Sequence, residues 1–202
     1  MTAIARLKIT LRDVEPKVVR QIEVPVDLRL DRLHQVMQAA MGWTNSHLHE
    51  FRAGRSTWGT SGMGGPIGDS FHSEKGATLQ DLLDAGGGKA FHYIYDFGDD
   101  WDHEVRVERI TEAEPGATYP RLLKAERRCP PEDVGGPWGY AHFLKAMADP
   151  AHEEHEELLE WHGAPFDPQD AEPERIAQDF AKLAKRWAAT PRTPKATPKT
   201  VH

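Results

Sequence analysis

Apolar and polar residues alternate almost from the start of the chain. Ala5, Leu7, Ile9 and Leu11 fall on one side and Arg6, Lys8, Thr10 and Arg12 on the other, the period-two pattern of a strand with one buried face. Asp13-Val14-Glu15-Pro16 reads as a turn, and Val18 to Val24 as the returning strand of a hairpin. Pro25 ends that strand because it has no N–H to give to a ladder. The period then changes. Leu33, Val36, Met37 and Ala40 recur at helical spacing, which predicts a helix capped by Asp31 and stopped by Gly42, with Gln38 on its solvent side.

His47 to Arg52 alternates again and predicts a third strand, while the Gly- and Ser-rich stretch from Gly54 to Gly76 reads as a loop with at most a small hairpin. Thr78 to Leu83 fits a short helix. Phe91 to Phe97 and Trp101 to Ile110 form a hairpin across Gly98-Asp99-Asp100. A three-residue loop sets Phe97 opposite Trp101, Tyr95 opposite His103, Tyr93 opposite Val105 and Phe91 opposite Val107. The aromatic residues and His103 then share an inner face, and His92, Asp96, Asp102, Glu104 and Arg106 share a solvated one.

After Tyr119 the pattern is helical. Tyr140, Phe143, Leu144 and Met147 share one face; Pro150 opens a second helix lined by His155, Leu158, Leu159 and His162; Ile176, Phe180, Leu183 and Trp187 line a third. The expected fold is α+β. Residues 1–118 form a β-grasp-like mixed sheet with one crossing helix, 119–189 a C-terminal helical extension packed on it, and 190–202 a disordered tail that repeats Thr-Pro-Arg/Lys.

Charge narrows the function classes. The net charge of −7 is concentrated in residues 146–174, where ten acids stand without a Lys or Arg. The tail carries Arg192, Lys195 and Lys199 and no acid, so the remaining chain is neutral. A broad cationic face for duplex DNA is excluded, and direct nucleic-acid binding is expected only weakly, through residues 190–202. The single cysteine, Cys129, excludes an intrachain disulfide; with no long apolar run and no signal-like start, a cytoplasmic protein without membrane contact is expected.

The candidate chemistry is a polar cluster of His47, His49, Asp99, Trp101, His103, Glu132 and Asp133. His47 and His49 stand two apart on a predicted strand, and His103 lies on the inner face near the hairpin turn. The expectation is that each imidazole bonds a carboxylate and pins a loop, with no cofactor. The alternative is a mononuclear zinc or iron site held by His47, His49 and His103. Cys129 follows Arg127 and Arg128, which favour a thiolate, but the prolines after it suit a rigid connector. Gly62 to Gly68 lacks the Lys-Ser/Thr of a phosphate loop, and His152 and His155 among glutamates read as a solvated acidic face.

Three ordered motifs carry a family likeness: Trp43 to Phe51, Tyr95 to His103, and Cys129 to Tyr140, followed by the His152 to Trp161 block. Together they resemble the Ri-plasmid open-reading-frame-three family over roughly residues 4 to 180. The resemblance implies a plasmid or insertion-element passenger, in some cases labelled resolvase-like, and no assigned activity. Val134 stands where the resemblance implies a second cysteine in many relatives, so no paired-thiol role transfers to Cys129. Recombinase chemistry has little footing here. The first serine is Ser46, too late for a serine recombinase, and His103-x-x-Arg106 with Tyr140 places a tyrosine-recombinase pattern on a strand. The leading expectation is a binding or interaction module with an unknown protein partner. A metal-dependent enzyme and a mobile-DNA accessory factor acting through a partner are the alternatives.

Overall fold

A computed structural model describes residues 2–60 and 70–189. Its strands are β1 (Ala3–Leu11), β2 (Val19–Pro25), β3 (His49–Ala53), β4 (Ser56–Gly59), β5 (Ser70–Ser73), β6 (Ala90–Tyr95), β7 (Trp101–Glu112) and β8 (Arg121–Glu126). Its helices are α1 (Leu30–Met41), α2 (Leu79–Ala85), α3 (Gly136–Ala148), α4 (His155–His162) and α5 (Pro173–Ala189). The strands form one mixed sheet in the order β5-β4-β3-β6-β7-β1-β2-β8, antiparallel except between β4 and β5.

The alternation in β1 does what its pattern predicts: Ala5, Leu7, Ile9 and Leu11 are fully buried. Helix α1 covers that face with Leu33, Val36, Met37 and Ala40, and Gly42 stops it in the left-handed region at φ 89°. The Arg20 guanidinium reaches up from β2 through the core and donates to the Ala40 carbonyl at 2.8 Å, tying sheet to helix end. α5 packs Ile176, Phe180 and Leu183 into the same core.

The α+β class and the C-terminal helices hold, but the β-grasp-like label is not confirmed: the sheet has eight strands, with α1 and α2 both inserted before β6. Several elements differ from their sequence reading. The N-cap of α1 is Arg29, and Asp31 sits in the first turn. Gln38 is buried, because its amide has partners inside. The third strand begins at His49, and His47 belongs to the loop before it. Part of the supposed loop 54–76 is strands β4 and β5; the glycine run Gly62 to Gly68 lies outside the described residues.

The hairpin register is shifted by two. Tyr95 faces Trp101, Tyr93 faces His103 and Phe91 faces Val105, because the turn takes five residues, with Asp96 and Asp100 both at positive φ. A shift of two preserves faces, so the aromatic residues and His103 are inside as expected; Phe97 leaves the strand and is exposed. β8 was hidden by its mixed, half-buried pattern at the sheet edge, and the 118/119 boundary therefore falls within the sheet. The second C-terminal helix starts at His155, five residues beyond Pro150.

Candidate functional site

The loop from Trp43 to Leu48 leaves α1 and enters β3 across the ends of β6 and β7, and its anchors are specific. The Trp43 indole donates to the Pro130 carbonyl at 3.0 Å, and the Thr44 amide donates to Glu132 Oε1 at 2.6 Å. The Tyr95 hydroxyl accepts from the amides of Ser46 and His47 and donates to Glu132 Oε1 at 3.1 Å. Burial and the facing Glu132 carboxylate push the Tyr95 phenol up to about 12, so it stays protonated and holds this role.

These anchors bring His47 among three carboxylates. Its Nε2 lies 3.0 Å from Asp133 Oδ1, 3.6 Å from Asp96 Oδ2 and 3.7 Å from Glu132 Oε2. That nitrogen is shielded from solvent, yet none of these approaches has hydrogen-bond geometry. Asp96 is held by its own turn: its Oδ1 accepts from the Gly98 amide at 2.9 Å, which leaves Oδ2 toward His47. One ligand atom from each of His47, Asp96 and Asp133 fits within 4.8 Å of the other two.

Beside this cluster a second network is fully specified. Gln38 Nε2 donates to the Tyr93 hydroxyl at 3.0 Å, and that hydroxyl donates to His34 Nδ1 at 2.8 Å. His34 Nε2 must then carry the proton, and it donates to Asn45 Oδ1 at 2.6 Å; the Asn45 amide returns to Gln38 Oε1 at 2.8 Å. The circle requires a neutral imidazole, and burial together with the neighbouring His49 lowers His34 to about 4. His49 stacks on His34 and binds Glu74 Oε2 through Nε2 at 2.8 Å.

His34, His47, His49, Glu74 and Asp96 line one open cleft of about 680 Å³, with Leu48 and Phe97 exposed in its wall and no Lys or Arg among its lining residues. The cleft is acidic and imidazole-rich.

The sequence-predicted residues divide accordingly. His47, Glu132 and Asp133 meet; His49 shares the cleft but pairs with Glu74. His103 is fully buried in the core, where Nδ1 donates to the carbonyls of Tyr93 and Trp101 at 3.0 Å each, and burial lowers it to about 4. No group of ligand atoms among the described residues unites His47, His49 and His103. Trp101 is core, 6.0 Å from Trp43 between ring centroids, and Asp99 accepts from the Gly135 amide at 3.2 Å to dock α3.

A family model for plasmid pRiA4b ORF-3-like proteins matches residues 3–175. The chain belongs to that family. It is 46% identical over 189 residues to the uncharacterized protein y4hQ of Sinorhizobium fredii, covering 93% of this chain and 96% of that one. It also resembles the crystal structure of a protein of unknown function, MM3350, from Methanosarcina mazei Go1, with a TM-score of 0.74 and 36% identity over 84% of this chain and 94% of that one.

Within this family member, the residues that sequence reasoning missed are His34, Glu74, Tyr95 and Asp96. Asp96 was assigned to the solvated strand face, and only the five-residue turn redirects it. Glu74 lay in a stretch read as loop. Tyr95 was read as core, which it is, but its hydroxyl reaches out to the loop. The legible signal was on α1, where His34 and Gln38 stand i, i+4 between apolar positions. Cys129 is buried, and burial pushes its thiol up to about 12, which suits packing rather than reactivity. Among the described residues, no helix is long and apolar enough to cross a membrane.

Proposed function

We propose that this protein is a metal-dependent binding module, with a divalent cation held by His47, Asp96 and Asp133 at one end of the acidic cleft and Glu132 beside them. The observation that carries the reading is His47 Nε2, a solvent-shielded nitrogen without a hydrogen bond, surrounded by carboxylate oxygens. A buried polar atom left without a partner costs about 1–3 kcal/mol, and a cation at this point removes that cost for the imidazole. One imidazole with two or three carboxylates suits zinc, manganese or ferrous iron rather than a thiophilic metal. Coordination positions facing the cleft would take an oxygen ligand of the bound partner. Membership of a plasmid-associated family is consistent with a setting in mobile elements, where this reading has the protein act through a partner rather than on DNA.

The test is metal analysis of protein purified without an affinity tag, before and after dialysis against zinc or manganese. About one ion per chain is expected, lost in His47→Ala and Asp96→Asn and retained in His49→Ala. A wild-type protein that takes up no metal, or a variant set with unchanged content, overturns the reading.

A second reading, metal-dependent hydrolysis, is favoured by one observation: the His49–Glu74 pair faces the same cleft. Such a pair can orient a base beside a metal-held ligand. Turnover of p-nitrophenyl esters or phosphates that needs both His47 and His49 would support it; activity indifferent to either substitution would remove it.

A further inference from the structure

Away from the cleft, one side chain is placed in a way that folding does not explain. Trp138 is 89% exposed, although it follows directly on a rigid, glycine-specified corner. Gly136 has φ 68°, and a Cβ there would lie 2.7 Å from the Asp99 carbonyl oxygen. A Cβ on Gly139 would lie 1.9 Å from the Val134 carbonyl oxygen. The start of α3 is thus pressed onto the 96–100 turn, which fixes the Trp138 backbone while its indole covers nothing.

Trp138 lines a groove of about 680 Å³ with Asp13, Glu15, Asp99 and Asp100. No Lys or Arg is among the lining residues, and Val14 and Pro137 supply apolar wall. Glu15 is paired with Lys17 at 2.9 Å and Asp99 with the Gly135 amide at 3.2 Å. Asp13 and Asp100 have no side-chain partner among the described residues, and both backbones are held at positive φ, 58° and 54°.

We propose that this groove docks a basic segment of a protein partner, with an arginine guanidinium stacked on the Trp138 indole and bonded to the carboxylates around it. The occupant follows from charge and shape. An all-acidic rim repels phosphates, which excludes nucleic acid, and a flat exposed indole favours a planar cation over an ammonium. Exposed aromatic anchors within a polar rim are where interfaces concentrate their affinity. The proposal does not rest on the metal reading, because none of the residues His47, Asp96 and Asp133 lines this groove.

The test uses three labelled synthetic peptides, each Gly/Ser-spaced and bearing three Arg, three Lys or three Glu, with binding to the full chain read by fluorescence anisotropy. The Arg peptide is expected to bind, the Lys peptide more weakly and the Glu peptide not at all. Trp138→Ala should weaken the Arg peptide by about three- to tenfold and Trp138→Phe by less. Asp13→Asn with Asp100→Asn should weaken it further and flatten its salt dependence. Because Trp138 is so exposed, these variants keep the fold, which circular dichroism checks. Equal binding by wild type and Trp138→Ala, no binding of the Arg peptide, or equal binding of the Glu peptide each overturns the proposal. So does a dimer in solution that Trp138→Ala dissociates, which would give the groove to a second copy of this chain.

Discussion

The ring of His34 lies flat on the ring of His49, with centroids 3.5 Å apart and planes within 6°. Only His49 has a carboxylate partner, Glu74, whereas His34 is bonded to neutral groups alone. Two stacked imidazolium ions would repel, so the pair is stable with His34 neutral, in agreement with its lowering to about 4.

This asymmetry gives a pH dependence. His34 and the core His103 are both lowered from 6.5 to about 4 by burial, so between those values the unfolded chain binds more protons than the folded one. Stability therefore falls as pH drops from about 6.5 toward 4, each histidine contributing on the order of 3 kcal/mol across that window. Thermal melts at half-unit pH steps check this. In His34→Gln the slope of melting temperature against pH should be shallower than in wild type, whatever the absolute stability; an identical slope would remove His34 from the account.

Gln38 illustrates where a periodic pattern misleads. Its amide closes the circle through Tyr93, His34 and Asn45, so a residue that reads as solvent-facing is structural. Gln38→Ala removes a donor from the buried Tyr93 hydroxyl and the acceptor of the part-buried Asn45 backbone amide, and should cost about 1–3 kcal/mol in urea denaturation. Gln178→Ala, on the exposed side of α5, should stay within about 0.5 kcal/mol.

What could be read from the chain was the part governed by local period. β1, the core stripe of α1 and the apolar faces of α3 and α5 depend on spacing alone, and Ala5, Leu33, Tyr140 and Ile176 are where spacing puts them. The strand β8 and the turn 96–100 depend instead on long-range pairing and on Asp residues at positive φ, which no period encodes. The candidate site inherited that limit. His47, Glu132 and Asp133 could be grouped as polar residues near glycines and prolines, and His103 already fell on the inner face, but Asp96 joins His47 only because a turn two residues longer than expected takes it out of the strand.

The corner before α3 gives a steric prediction. Gly139→Ala sets a methyl 1.9 Å from the Val134 carbonyl, a backbone atom that cannot rotate away, and should destabilise by about 2–4 kcal/mol. Gly76→Ala, where φ is 90° but the space is open, should cost about 1 kcal/mol. Equal losses on denaturation would show that the Val134 carbonyl does not close against the first turn of α3.

Tyr95 connects the core to the proposed cation site without being a ligand in it. Its ring packs on Trp43 with centroids 4.8 Å apart, and its hydroxyl accepts two loop amides while donating to Glu132. Tyr95→Phe keeps the ring and removes only the oxygen, so two part-buried N–H groups and one carboxylate lose a partner at a cost of about 1–3 kcal/mol. The loop carrying His47 would then be free to shift relative to Asp96, which is fixed separately by the Gly98 amide. Groups that orient a metal ligand without touching the metal typically change its affinity by about 10- to 100-fold. Titration with zinc or manganese should therefore show weaker binding in Tyr95→Phe than in wild type, at unchanged stoichiometry. Trp43→Phe, which deletes the indole donor to Pro130 but leaves His47 on its Tyr95 tether, should destabilise the fold with a smaller effect on the metal. If the two variants lose stability alike and metal affinity alike, Tyr95 is a packing residue only, and the positioning of His47 has another source.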